Sequence, residues 1–314
     1  MSVVEDIIAR VGAEGLLAQG RPVVAMLSGG RDSTCLLDVA VAVAGKTAVS
    51  ALHVNYGLRD SAGEDELHCR SLCQALGVDL EVVEPGTPPV GNVQAWARDL
   101  RYAAADALAR GRAADMAAGH TATDQVETIL YRLASSPSRR ALLGMRPREG
   151  ALVRPLLAFT REQTGAYCFE RGLAWRDDES NESDLYARSR VRHRLVPALR
   201  EIHPAAEQNV LALAAALRDE ADVLDELVDA ELGGGAQIEL RRLRELPAAL
   251  ARLIVQRLAD QVEGRPTPGT ARRLPDVLAL RDTGTTHLDL PGGVRVTVVN
   301  GILGFSQTPG RSHP

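Results

Sequence analysis

The chain has 314 residues, of which 45% are hydrophobic and 25% charged, with a formal net charge of −5 and a pI near 5.9. The length holds two domains of ordinary size, and the charge balance does not by itself mark a nucleic-acid binder. Cys35, Cys69, Cys73 and Cys168 form no CxxC pair, which disfavours zinc ribbons and thioredoxin-type chemistry. No stretch of about 18 apolar residues is free of charge, and no basic-then-apolar leader pattern is seen, so the expectation is a cytoplasmic protein with no membrane span.

Residues 3–19 read as a helix with Val4, Ile7, Ile8, Val11 and Leu16 on one side. Residues 23–27 are a short apolar run suited to a buried strand. Ser28-Gly29-Gly30 breaks that run, and Arg31-Asp32-Ser33 leads into Leu36, Leu37, Val39, Ala40 and Val43, which fit the buried face of a helix. A strand, a glycine turn and a helix start make an anion site, because the first-turn N–H groups have no partner in the helix and the dipole adds positive charge. The glycines let the backbone approach the anion. Ser28 and Ser33 offer hydroxyls, and Asp32 is a carboxylate suited to Mg²⁺ near phosphates. An ordinary βα turn with a capping serine is the plainer alternative.

Residues 47–54 form the next predicted strand, which runs into His53-Val54-Asn55-Tyr56-Gly57-Leu58-Arg59. A helix is predicted over residues 63–76 with Gly77 as its C-cap, then a strand over 80–83 and a helix over 92–110 carrying Arg98, Arg101 and Tyr102. A fourth strand begins at Asp115 and ends near His120, and a helix follows over 124–133. Strand and helix alternate at short spacing, which predicts an α/β fold: a parallel, doubly wound sheet with helices on both faces. Ligands of such sheets lie at the carboxyl ends of the strands, where residues 28–33, 53–59 and 120–127 converge.

Residues 134–150 read as a mobile loop, 160–172 as a helix, 177–184 as an acidic turn and 186–199 as an arginine-studded helix. Residues 132–161 carry seven arginines (Arg132, Arg139, Arg140, Arg146, Arg148, Arg154, Arg161) against Glu149, and residues 188–200 add Arg188, Arg190, Arg192, Arg194 and Arg200. The texture changes near residue 205: a long amphipathic helix over 206–231, a strand over 237–240, a helix or helix pair over 242–262, a helix over 269–281, and three strands over 287–290, 294–299 and 302–306. The expected division is therefore 1–204 and 205–314, the second a smaller α+β domain.

Ser28-Gly29-Gly30-Arg31-Asp32-Ser33 resembles the SGGxDS loop of the PP-loop ATP pyrophosphatases, which split ATP between the α and β phosphates. With the other segments laid out, the chain resembles the tRNA(Ile)-lysidine synthetase family. Its HVNHGLR stands as His53 to Arg59 with Tyr56 for the second His, and its EaxARxxRY as Gln94-Ala95-Trp96-Ala97-Arg98-Asp99-Leu100-Arg101-Tyr102 with Gln94 for Glu. Its HxxDDQxET stands as His120-Thr121-Ala122-Thr123-Asp124-Gln125-Val126-Glu127-Thr128, with Thr123 for the first Asp. Asp178-Glu179-Ser180-Asn181 and the run from Arg188 to Pro197 match a further string, with Ser189 for Asn.

The resemblance implies a ligase using ATP and Mg²⁺. The wobble cytidine of an isoleucine tRNA with a CAU anticodon would be adenylated at C2, and free L-lysine would then displace AMP to give lysidine. The implied nucleotide site is Ser28, Gly29, Gly30, Arg31, Asp32, Ser33 and His53, with Asp32 as metal ligand. The implied catalytic set is Asp32, Arg98, Arg101, Asp124 and Glu127. Arg98 and Arg101 can clamp phosphate or the cytosine edge. Asp124 and Glu127, three apart on one helical face, can meet lysine's positive charges. Arg139, Arg140, Arg188, Arg190 and Arg192 would follow tRNA phosphates, and the second domain would bind tRNA or substrate. A membrane is not among the partners, and a homodimer is left open. Plainer roles stay beside these: Asp124 as an N-cap, Glu127 as a capping-box acid, His53 and His120 as strand-end packing, and the arginines as a solvated face. Two rival classes are another PP-loop tRNA-modifying enzyme and a catalytically dead RNA-binding homologue.

Overall fold

The computed structural model describes residues 2–58, 61–86, 88–89, 91–136, 138–176 and 187–310. Arg59, the acidic turn 177–184 and the Asp178-Glu179-Ser180-Asn181 string lie outside the described residues. The chain forms two compact units, Met1–Ala215 and Ala216–Pro314.

In the first unit, Ser2 and Glu5 close a capping box at the start of α1 (Val3–Glu14), and Gly15 ends it in the left-handed region. The helix is shorter than the predicted 3–19 because Gly15 turns the chain there, yet Leu16 and Leu17 are still buried. Then come β1 (Val23–Met26), α2 (Arg31–Ala44), a 3₁₀ turn at Lys46–Ala48, β2 (Val49–Val54), α3 (Ala62–Leu76), β3 (Asp79–Val83), α4 (Val93–Arg112), β4 (Asp115–Ala117) and α5 (Ala122–Ser135). Short strands β5 (Arg148–Glu149) and β6 (Leu152–Val153) precede α6 (Arg161–Glu170), α7 (Ala187–Arg190) and α8 (Val196–Ile202).

The sheet order is β3-β2-β1-β4-β6-β5, parallel throughout except for the β5–β6 pair. Strand order reverses between β1 and β4, which opens a crevice at their carboxyl ends. Side chains alternate between the two faces as strand geometry requires. Val23, Ala25, Leu27, Ala51, Ala117 and Val153 pack with α1, α2, α3 and α6. Val24, Met26, Leu52, Val54 and Met116 pack with Ala105 and Ala109 of α4. The expected doubly wound sheet is therefore present. Lys46, the one lysine of the chain, lies at the amino end of β2, at the end of the sheet opposite the crevice.

Two local readings change. The segment 134–150, read as a mobile loop, contains a 3₁₀ turn at Arg139–Ala141 and the edge strand β5. The predicted helix over 186–199 is broken: Val191–Leu195 is a π-helical turn between α7 and α8. Such a turn redirects the side chains that follow it and is frequent at functional sites.

From residue 206 the chain forms α9 (Ala206–Leu232), which ends at Gly233 in the left-handed region. The second unit begins within α9, at Ala216, and continues with β7 (Gln237–Glu239), α10 (Leu240–Glu245), α11 (Ala248–Glu263), α12 (Leu274–Leu278), β8 (Thr285–Leu290), β9 (Val294–Val299) and β10 (Ile302–Gln307). The four strands form an antiparallel sheet in the order β7-β10-β9-β8, whose Val294, Val296, Val298 and Leu303 pack on Ile254, Val255 and Leu258 of α11. Asn300 (φ 48°) and Gly301 (φ 86°) form the tight turn between β9 and β10, matching the Asn-Gly signal.

Candidate active site

The turn after β1 is a closed loop of hydroxyls and peptide groups. Ser33 Oγ donates to Gly30 O at 2.8 Å, lies 3.0 Å from Ser28 Oγ and accepts from Ser28 N–H at 3.2 Å. Gly30 is the N-cap of α2 and receives no side-chain cap, so first-turn N–H groups face outward. Gly29 has φ +83°, and a Cβ there would lie 3.3 Å from Cys69 Sγ. Both glycines of the sequence motif are thus explained by backbone, one by conformation and one by capping. His53 is buried behind the loop, its Nδ1 donating to Leu27 O at 3.0 Å, with Cys69 Sγ at 3.4 Å. The carbonyl acceptor assigns the proton to Nδ1. His53 braces the loop from the sheet side.

Asp32, on the first turn of α2, is held by residues far away in sequence. Thr164 Oγ1 donates to it at 2.5 Å, Arg161 Nε at 3.2 Å, and Arg31 Nε lies 3.5 Å away. Arg161 and Thr164 come from the first turn of α6, which Thr160 caps. The turn after β4 closes the other side. A Cβ on Gly119 would lie 3.0 Å from Asp32 O, so the two strand-end turns touch backbone to backbone.

Asp124 is the third residue of α5 and completes a capping box, accepting from the Thr121 N–H at 2.9 Å and the Thr121 hydroxyl at 2.8 Å. Its other oxygen faces Arg192 at 3.7 Å and Arg188 at 3.8 Å. Glu127 is fully buried, and Arg192 grips it with two hydrogen bonds of 2.6 and 3.0 Å, with Arg188 Nε 3.5 Å away. Asp124 and Glu127 do share one face, as their spacing requires. Arg188 and Arg192, expected to follow tRNA phosphates, turn onto that acidic pair, Arg192 from within the π-helical turn. Arg190 lies on the same segment, at the end of α7.

His120 stands beside this cluster with Nδ1 buried and unbonded among the described residues. Burial pushes its pKa down to about 4; Asp124 pulls the other way, and Arg154, Arg188 and Arg98 push further down. His120 is therefore neutral at pH 7. Since its folded-state value lies below its ordinary 6.5, stability is lost as pH falls from about 6.5 to about 4 and is unaffected above that window. A displacement of this size is worth about 3 kcal/mol. Urea unfolding at pH 7 and pH 4 should show the parent chain losing about that much more than His120→Asn; equal losses would contradict the neutral assignment.

Gln125 fastens the next segment. Its Nε2 donates to Met145 O at 2.8 Å and its Oε1 accepts from Met145 N–H at 2.7 Å, a side-chain copy of a β-ladder rung. A Cβ on Gly144 (φ +65°) would come within 2.7 Å of Gln125 Oε1. Arg132 donates to Gly144 O at 2.9 Å. Arg139 and Arg140 lie on the segment so fastened, Arg140 exposed and Arg139 half-buried. Other arginines of that run serve the fold: Arg148 pairs with Asp115, and buried Arg154 with Arg146 O and Glu149. Arg98 is exposed on α4 and close enough to influence His120, while Arg101 lies half-buried one turn on.

Sequence reading singled out the acids and missed their partners. Arg161, Thr164 and Gln125 carry no motif spacing toward Asp32 or Met145. The one available signal was the Thr160 capping box, which places Arg161 and Thr164 on one turn. For a divalent cation, the donor chemistry fits: Asp32 and Asp124 are hard carboxylates at the starts of the helices that follow β1 and β4, and Asp124 Oδ1 has no polar contact shorter than the arginines at 3.7 and 3.8 Å among the described residues.

A parallel sheet, a glycine loop at a helix start and acids at the neighbouring strand end define a nucleotide-binding α/β domain. Residues 4–199 match the family model described as a PP-loop domain. A tRNA(Ile)-lysidine synthase from Thermus thermophilus is 36% identical over 299 residues, 91% of this chain and 57% of that one. One from Gloeobacter violaceus is 35% identical over 265 residues, 81% of each chain. One from Pseudomonas fluorescens is 37% identical over 212 residues, 65% of this chain and 48% of that one. The chain belongs to the PP-loop family and, within it, to the tRNA(Ile)-lysidine synthase family. It spans about half the length of the first of these curated relatives, 48% and 57% of two of them. A U34-tRNA thiolase from Methanococcus maripaludis shares the fold, with a TM-score of 0.58 at 16% identity over 69% of this chain and 79% of that one. No helix among the described residues is long and apolar enough to cross a membrane.

Proposed function

We propose that the chain ligates free L-lysine to C2 of the wobble cytidine of an isoleucine tRNA with a CAU anticodon, using ATP, in the cytoplasm. The observation that supports this reading is the meeting of the Ser28–Ser33 loop, at Asp32, with the Gly119 turn that leads into the acidic start of α5 at the sheet's switch point. In the first half-reaction the cytidine O2 attacks the α phosphorus of ATP and pyrophosphate leaves. The loop N–H groups and hydroxyls align the phosphates, and Arg161 and Arg98 spread the charge that develops. Asp32 and Asp124 would hold Mg²⁺, which when bound neutralises phosphate charge.

In the second half-reaction an amine of lysine attacks C2 and AMP leaves. Asp124 and Glu127 are the carboxylates for the lysine ammonium groups. Each carboxylate accepts several hydrogen bonds, so Glu127 can take an ammonium while Arg192 keeps one oxygen. Neutral His120, beside them, can hold a proton at Nδ1. Release of pyrophosphate that requires RNA, and release of AMP that requires lysine, tests the whole reading. Pyrophosphate release indifferent to RNA would overturn it.

Arg139 and Arg140 are the proposed phosphate contacts on the segment that Gln125 fastens. The Arg139→Ala/Arg140→Ala double variant should weaken tRNA binding and lower the log–log salt slope by about one to two units, somewhat under one per lost contact. An unchanged slope in filter binding assigns them to a solvated face.

A further inference from the structure

Aromatic residues are scarce in this chain, two Trp, five Tyr and three Phe in 314 residues. Three of the ten gather at one place, where the end of β2 meets the first turns of α4. Tyr56 and Tyr102 pack on the apolar core beneath α4. Trp96 does not: among the described residues it belongs to none of the buried apolar clusters, and it is half-buried on the first turn of α4. The largest apolar ring of the region is thus held at the surface rather than spent on the core.

Its neighbours hold it there. The Tyr56 hydroxyl donates to Ala97 O at 2.7 Å, and its ring meets the indole of Trp96 in a T-shaped contact, centroids 5.9 Å apart at 61°. Such a contact covers at most one face of the indole. Arg98 stacks its guanidinium 4.7 Å from the Tyr102 ring centre, and Arg101, which lies within electrostatic reach of Tyr56, is 5.8 Å from the same ring. Cation–π contact fixes both cations in orientation without neutralising them. Leu58, two residues after Tyr56 on the loop after β2, is exposed as well.

A rigid aromatic face next to oriented guanidinium groups matches a nucleotide: a base on the ring and a phosphate on the cations. Stacking needs an unstacked base, which a duplex does not offer. We propose that Trp96, braced by Tyr56, is a stacking platform for one unpaired base of a single-stranded RNA loop, with Arg101 on the Tyr56 side for a neighbouring phosphate. This rests on the proposed RNA substrate and names a contact to it. Tyr56 fits the role by its phenol, which fixes the ring through Ala97 O, where the resembling family string has a histidine. Adenine of ATP shares the stacking chemistry, so the test separates the two.

Trp96 and Trp175 are the only tryptophans. Trp175→Phe in the full chain leaves Trp96 as the one indole, and its emission reports directly on stacking. Titration with a short RNA hairpin carrying a CAU loop should quench that emission saturably. The blunt duplex of the same stem should not. Trp96→Leu, made in the otherwise unaltered chain, should bind the hairpin about five- to a hundred-fold more weakly at unchanged melting temperature, and Trp96→Phe should recover most of the loss. Unquenched emission at saturating hairpin overturns the platform, as does full quenching by ATP alone. RNA-dependent pyrophosphate release in the Trp175→Phe protein separates the two levels. Its presence with silent Trp96 overturns the platform only; its absence together with no hairpin binding overturns the proposed function as well.

Discussion

Asp32→Ala should lose pyrophosphate release by at least about a hundred-fold while tRNA binding stays nearly normal. The asymmetry follows from where Asp32 lies. It stands on the first turn of the helix that follows the anion loop, and it is the point at which Arg161 and Thr164 of α6 reach the start of α2. Removing it takes away a proposed Mg²⁺ ligand and releases Arg161 from its fixed direction, so alignment and charge neutralisation fail together. Phosphate contacts elsewhere supply most of the affinity for RNA, so binding is spared. Asp32→Asn keeps the bulk and an acceptor for Thr164 and should fail in the same step. Near-normal pyrophosphate release by either variant removes Asp32 from the metal role.

Glu127→Gln should retain adenylate formation and raise the lysine requirement at least tenfold. A hydrogen-bonded charge lost from such a site costs on the order of 2–5 kcal/mol. The variant should also be less stable, because Arg192 then loses the carboxylate it grips at 2.6 and 3.0 Å. Removing one member of a buried pair costs about 3–5 kcal/mol, and the side chain of Arg192, 22% exposed, brings this to about 2–4 kcal/mol. Adding Arg192→Gln separates the two effects. If Glu127 only neutralises Arg192, the double variant recovers both stability and lysine dependence. If the carboxylate holds lysine, stability recovers and lysine dependence does not. Assays following adenylate and lysidine separately, alongside urea unfolding, read both quantities.

What the sequence disclosed, and what it concealed, divide along the range of the interactions. The Ser28–Ser33 loop is legible because its chemistry is local: strand, glycines and helix start lie within a few residues, and the glycines report the backbone directly. The order of strands and helices in the first unit is legible for the same reason, since period-two and period-3.6 patterns are local. The partners of the acids are not. Thr164 reaches Asp32 and Arg192 reaches Glu127 across 132 and 65 residues, and no periodicity encodes such pairs. Two-residue strands β5 and β6, flanked by Pro147 and Gly150, are too short for any pattern and look like the loop they partly are. The π-helical turn at Val191–Leu195 is composed of ordinary helix formers, yet it decides that Arg192 faces the acids.

The position of Lys46 bears on the safety of the proposed chemistry. An adenylated cytidine is an electrophile that waits for an ε-amine, and any ε-amine within reach would capture it in a wasteful, self-modifying reaction. The cations gathered at the crevice (Arg98, Arg154, Arg161, Arg188, Arg192) are all guanidinium groups. Guanidinium groups are poor nucleophiles, their nitrogen lone pairs being delocalised over the planar group. The one lysine of this chain stands at the opposite end of the sheet. On the proposed chemistry, a site built this way would deliver positive charge to phosphate without placing a side-chain amine of this chain beside the intermediate that lysine is to meet.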